Sequence, residues 1–270
     1  MKITLPKPTL RELKLDEANR HRAVVLEICV TSVEFAMAAE RGGADRIELC
    51  SDLDCGGVTP SLALMKAARE RLRIPIHVLI RPRAGDFVYS AREFLAMRRA
   101  IQRAHELRMD GIVVGILDRE FRVDVARTRE LVELAHPLPV TFHRAFDETD
   151  CSGASLEAVI ETGATRLLTS GGCAKATDGL SAIARLVKAA GERLSVMPGG
   201  GITPANVVCV MRTTGAWEVH GSLLTAGLRK ALGEEDGEER RVRRERGLMM
   251  ERYYRRVLKT ASLLRSLRGY

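Results

Sequence analysis

From Val24 onward, short aliphatic runs alternate with longer stretches whose apolar residues recur at a spacing near 3.6. The runs fall at 24–30, 45–50, 75–80, 111–116, 139–143, 166–169, 194–197 and 217–220, and read as strands. The stretches at 32–41, 61–71, 91–107, 125–135, 155–161, 180–190 and 205–213 read as amphipathic helices. Ser32, Thr59-Pro60 and Thr203-Pro204 have the chemistry of helix starts, and Gly43, Gly163, Gly191 and Gly215 stand where helices should stop. Eight strands, each followed by a helix and joined by right-handed crossovers, make an α/β chain of (β/α)8 TIM-like barrel type. A doubly wound sheet is the alternative. It usually has fewer units and often a glycine-rich first turn, whereas the first turn here is Cys29-Val30-Thr31-Ser32.

This division gives an N-terminal extension at 1–22, polar and carrying Pro6 and Pro8, a barrel at 23–232, and a basic helical extension at 233–270. The eighth barrel helix should follow Ser222. A further helix is expected from about 238 to 268, with an apolar stripe of Leu248, Met249, Tyr253, Val257, Leu258, Leu263 and Leu264 that packs on the barrel or on a second subunit. The acidic run at 233–239 reads as a connector.

Strand parity separates two environments. Leu26-Glu27-Ile28-Cys29 recurs with conservative changes as Ile47-Glu48-Leu49-Cys50. Alternate side chains leave a strand on opposite faces, so each copy has an aliphatic face and a Glu/Cys face. With aliphatics outward against helices, the barrel interior receives Glu27, Cys29, Glu48, Cys50, His77, Leu79, Arg81, Thr141, His143, Glu218 and His220. That set is too polar for an interior filled only with branched aliphatics. Buried charges must pair, meet water or hold a ligand. An internal salt-bridge network of Glu27, Glu48 and Arg81 is one structural explanation. The residues nearest the strand C-termini, including Cys29, Cys50, Arg81, Arg83, His143, Arg144, Asp147, Thr169, Ser170 and His220, lie on the face where barrel enzymes keep their sites.

Composition narrows the class. A hydrophobic content of 46% fits a soluble protein with a sizeable core, and no apolar run approaches the roughly 18 residues that span a bilayer. The start lacks the apolar core of a signal peptide, which points to a cytoplasmic protein. Six cysteines in 270 residues, with no Cys-x-x-Cys pair, are not a disulfide framework. Of the net charge of +8, residues from Arg229 onward contribute +6, so the basic character belongs to the tail. Its acids are interleaved with the bases and no aromatic-rich motif accompanies them, which disfavours nucleic acid as a partner.

Two chemistries fit the mouth. Cys29 and Cys50 sit on adjacent strands, roughly 4.8 Å apart axis to axis. One soft ion such as Cu(I) could touch both thiolates, or zinc with an added His or carboxylate; two buried cysteines acting as small hydrophobes are the structural alternative. Cys55 lies just past the second strand on the same mouth, as Cys151 and Cys173 do in later loops, while Cys209 reads as a core residue of its helix. In the other chemistry His143 with Glu48, Glu27 or Asp147 forms an acid–base group acting on a small anionic or phosphorylated metabolite. Arg81, Arg83 and Arg144, the hydroxyls and backbone N–H groups of Thr169-Ser170-Gly171-Gly172, and the close-approach turn Gly199-Gly200-Gly201 would hold the anion. No Lys faces inward from a strand, which argues against a Schiff-base aldolase.

Several stretches together resemble the CutC family of copper-homeostasis proteins: LEICVTSVE (26–34), GGADRIELCSDL (42–53), GGVTPS (56–61), IRPRAGDFVYS (80–90), DGIVVGIL (110–117), PVTFHRAFDET (139–149), TSGG (169–172) and MPGGGI (197–202). The resemblance covers about residues 24–222. It implies a TIM-like barrel, a cytoplasmic location, homo-oligomer formation and handling of Cu(I), with Cys29 and Cys50 matching the family's proposed copper ligands. In one departure, Cys55 stands where the family usually has Glu. Either a third thiolate joins the mouth or a carboxylate of another chemistry is missing.

Overall fold

The computed structural model describes residues 23–224 and 239–267. The extension at 1–22, the eighth barrel helix and nearly all of the acidic connector lie outside these residues. The strands are β1 (Val25–Val30), β2 (Arg46–Leu49), β3 (Ile76–Leu79), β4 (Gly111–Val114), β5 (Val140–Phe142), β6 (Arg166–Thr169), β7 (Ser195–Pro198) and β8 (Glu218–Gly221). Parallel ladders join them in the order β7-β6-β5-β4-β3-β2-β1-β8, and β7 lies beside β8, so the sheet curls into a nearly closed barrel. The helices between strands are α1 (Val33–Arg41), α2 (Leu62–Arg71), α3 (Ala91–Glu106), α4 (Val125–Ala135), α5 (Gly153–Glu161), α6 (Leu180–Ala190) and α7 (Val207–Thr214). α8 (Glu239–Ser266) is the added C-terminal helix.

The parity reading holds. Ile28, Ile47, Ile76, Val78, Ile112, Phe142, Leu167 and Val219 are buried in the shell between sheet and helices. Burying an aliphatic of that size is worth about 1.5–3 kcal/mol, so this face fixes which way each strand turns. The register pairs Glu27 with Arg46 and with His220, and Cys29 with Glu48, putting the polar positions of β1, β2 and β8 side by side.

Local chemistry sets the helix starts. The Ser32 and Ser61 hydroxyls accept from Phe35 N–H and Leu64 N–H, and Ser90 with Glu93 forms a reciprocal capping box on α3. The α2 cap is therefore Ser61 and not Thr59-Pro60. The Thr59 hydroxyl instead accepts from Arg81 N–H and ties the β2 loop to the end of β3. The chain after Thr203-Pro204 becomes α-helical only at Val207, and Asn206 Oδ1 accepts from Thr203 N–H before it.

α8 packs on α1 and α7 of the barrel. Its buried stripe is Tyr253, Val257, Thr260, Ala261 and Leu264, with Tyr253 set edge-on to Phe35 at 4.8 Å. Leu248 and Leu258, expected in that stripe, are exposed. They lie off the face that α8 turns toward α1.

Candidate functional site

The interior has two levels. At the lower one Arg46 donates through Nε to Glu27 and through Nη2 to Glu218, both at 2.5 Å, and Arg166 Nε donates to Glu218 at 2.6 Å. Ser195 Oγ donates to the other oxygen of Glu218 at 2.8 Å, and His220 Nδ1 lies 2.7 Å from Glu27 Oε1. Burial pushes the Glu27 carboxyl up, but Arg46 and the hydrogen bond and charge of His220 overcome it and hold it well below the usual carboxylate range. The partners of Glu27 and Glu218 are therefore Arg46 and Arg166. Arg81 is not among them, contrary to the network expected from sequence. Arg46 shares parity with Glu48 and Cys50, so its inward direction was readable; its partner on β8, 172 residues away, was not.

Two inward glycines make room for imidazoles. A Cβ at Gly111 would clash with the His77 ring, and one at Gly115 with the His143 ring. Burial lowers His77 to about 3, so it is neutral and its 4.0 Å approach to Glu27 is not an ion pair at ordinary pH. Its Nδ1 has no hydrogen-bond partner.

The upper level opens into a cavity of about 540 Å³ at the C-terminal end of the strands, lined by Cys29, Glu48, Cys55, Arg81, Phe87, His143, Arg144, Asp147, Leu168, Gly200, Gly201 and His220, among others. Cys29 and Cys50 Sγ are 3.3 Å apart, and both thiols are buried and free. The Cys50 thiol donates to Val30 O, leaving its sulfur to accept from Cys29. That hydrogen bond, burial and the neighbouring Glu48 push the Cys29 thiol well up, so it is protonated in the metal-free protein. Cys29, Glu48 and His220 offer ligand atoms within 4.8 Å of one another. Burial raises the Glu48 carboxyl, and its Oε2 has no partner; His220 is shifted up, toward its protonated form, because Glu48 and Glu27 outweigh burial. Two thiols backed by a carboxylate and an imidazole suit a soft or borderline ion. Cys55 lines the same cavity, but its thiol is half-buried and donates to Asp52 O at 3.1 Å. Cys209 is exposed and does not belong to the core.

The expected anion cradle is occupied by the protein's own carboxylate. Asp147 accepts from Ser170 N–H, Gly172 N–H and the Thr169 and Ser170 hydroxyls, while Gly171 N–H donates to Thr169 Oγ1. Arg144 Nε donates to Asp147 at 2.7 Å and its Nη2 to Ser170 Oγ. These N–H groups are therefore not free for an exogenous anion, and Asp147 is not free as a base. Arg83 is spent on Glu93 and Asp86. Gly199 packs against Leu168 and His220 with no space for a side chain, while Gly200 and Gly201 adopt the left-handed backbone and bring bare main chain to the cavity wall. Of the four acid–base candidates, Glu27 is bound in the lower network and Asp147 in the loop. Glu48 and His143 keep an unpartnered atom.

A barrel whose mouth gathers buried thiols, a carboxylate and an imidazole is a TIM-barrel protein with a metal-competent C-terminal face. Residues 24–225 match the model of the CutC family, and the chain belongs to that family. It is 48% identical over 198 residues to a CutC family protein of Chromobacterium violaceum, covering 73% of this chain and 80% of that one. It is 45% identical over 206 residues to the human copper homeostasis protein cutC homolog, covering 76% of each. The crystal structure of the copper homeostasis protein CutC from Streptococcus agalactiae superposes with a TM-score of 0.71 at 33% identity, covering 75% of this chain and all of that one. Among the described residues, no helix is long and apolar enough to cross a membrane.

Proposed function

We propose that this chain serves copper homeostasis by binding Cu(I) at the barrel mouth through the thiolates of Cys29 and Cys50, with Glu48 and His220 next to them. The observation that carries this reading is the 3.3 Å separation of two buried, unoxidised sulfurs. A tetrahedral ion with metal–sulfur bonds of about 2.3 Å holds its sulfurs about 3.8 Å apart, so loading requires a spread of only about half an ångström. Binding displaces the thiol protons, as a soft ion with high thiolate affinity can do. Cys55 takes a secondary place in this reading because its thiol already donates to Asp52 O. A cytoplasmic location agrees with six free cysteines, since a reducing compartment keeps them as thiols.

Competition of the reduced protein against a chromophoric Cu(I) chelator tests the reading. Affinity should fall by about a hundredfold or more in Cys29→Ser/Cys50→Ser and change only slightly in Cys55→Ser. Undiminished binding in the double variant refutes the site. Self-association belongs to the same reading; sedimentation of the copper-free protein as a monomer at every micromolar concentration would remove that part of it.

A further inference from the structure

The cavity has a second wall that the thiol pair does not use. Arg81 is 6% exposed, and its Nη atoms donate to three backbone carbonyls, those of Cys55, Gly57 and Gly85. Carbonyls saturate donors without cancelling charge, and among the described residues no carboxylate pairs with this guanidinium. Its Nε has no partner; the Phe87 ring lies 4.8 Å away, and the Tyr89 hydroxyl, a neutral group, is also beside it. Two of the mouth's acids are engaged elsewhere: Asp147 is held by Arg144 and the Ser170–Gly172 backbone, and Glu48 faces Cys29 and His220; a third, Glu148, lines the cavity without an ion pair to Arg81 among the described residues. A buried cation without an anion costs stability that only a ligand or water can return.

His143 adds a directed donor. It is also 6% exposed, and its Nδ1 accepts Ala145 N–H at 3.1 Å. A neutral ring that accepts at Nδ1 carries its proton on Nε2. Burial and the nearby Arg81 charge lower His143 to about 3, so the ring is neutral. Nε2 is buried and has no partner. His143 thus presents a fixed N–H donor at Nε2, with Nδ1 taken by Ala145 N–H. Leu79, Leu168 and Phe87 supply apolar surface in the same cavity, whose volume suits a small metabolite.

We propose that this wall is a second site, for a small carbon-bearing oxyanion, its carboxylate or phosphate oxygens accepting from His143 Nε2–H and meeting the uncompensated charge of Arg81. The site is separate from the thiol pair and does not require copper. Calorimetric titration of copper-free protein with glycolate, 2-phosphoglycolate and inorganic phosphate tests it and separates the sources. A preference for glycolate over phosphate assigns a carboxylate, and the reverse assigns a phosphate ester. His143→Asn can still accept Ala145 N–H but lacks the Nε2 donor, and Arg81→Lys keeps the charge but changes the donor geometry. Each should weaken binding about tenfold or more, while Cys29→Ser/Cys50→Ser should leave it unchanged. Imidazole 15N resonances should place the proton on Nε2 in the free protein and move on binding. Should Arg81→Lys fail to fold, His143→Asn and the 15N spectrum decide alone. No binding of any of the three up to 50 mM (about a hundred times a weak metabolite affinity), or equal binding by His143→Asn, overturns the proposal.

Discussion

The lower and upper levels of this barrel are built from the same residue types and behave in opposite ways. Below, Glu27 and Glu218 are matched by Arg46 and Arg166 in a closed set of short contacts. Above, Glu48, Arg81 and His143 are equally buried, yet each keeps a polar atom without a partner. Folded chains satisfy the great majority of their buried polar groups, so a cluster of orphans at the open end marks a place where something else completes the set. The lower level is a plug that holds the barrel shut; the upper level is a socket.

This contrast can be broken by mutation. Arg46→Met leaves buried Glu27 with His220 alone and takes one of two guanidiniums from Glu218, and should destabilise the protein by about 3 kcal/mol, read from urea unfolding. A loss under 1 kcal/mol would mean that the plug is not structural.

The next largest effect is on the acid limb of stability. The folded pKa of His77 lies below its unfolded value, so its contribution is complete above about pH 6.5 and is lost as pH falls toward about 3. Glu27, Arg46 and Arg166 are the charged groups around it. Between pH 6.5 and 4.5, before ordinary carboxylates titrate, this group alone should cost about 2–3 kcal/mol. His77→Gln should remove about half of the slope there, because buried His143, also lowered to about 3, titrates over the same range. An unchanged slope would show that His77 does not stay neutral in the fold.

Smaller effects are expected in the socket. Glu48 has its pKa raised on folding, so it contributes most at low pH and loses that contribution as pH rises through the folded value. Glu48→Gln should therefore be neutral or stabilising at pH 7, within about 1 kcal/mol. His143→Asn keeps the acceptor for Ala145 N–H and should also stay within about 1 kcal/mol. If either cost as much as Arg46→Met, the two levels would not differ in kind.

Much of this division was legible along the chain. The repeated Leu-Glu-Ile-Cys pattern determined which face of β1 and β2 turns inward, because a one-residue slip would expose every aliphatic. Ser32 as a cap and the alternation of the eight strands with the helices between them followed from local rules as well. The same parity would have placed Arg46 inside, whereas β6 carries leucines on both faces and left Arg166 undecided; the long reach of a guanidinium lets both find a carboxylate two strands away.

What only the tertiary structure decided were the partnerships. Curling the sheet brings β8 against β1, so Glu218 meets Arg46 and His220 meets Glu27. No single strand records that closure. Likewise Asp147, read as a base beside an anion-binding loop, is itself the anion in that loop, because a short turn after β5 delivers it under Ser170 and Gly172. His143 became a donor through one backbone N–H, two residues along, that captures its Nδ1. Sequence alone determined which residues face inward, since that depends on a period of two. Which charges are answered, and which await a ligand, depends on distances set by barrel closure.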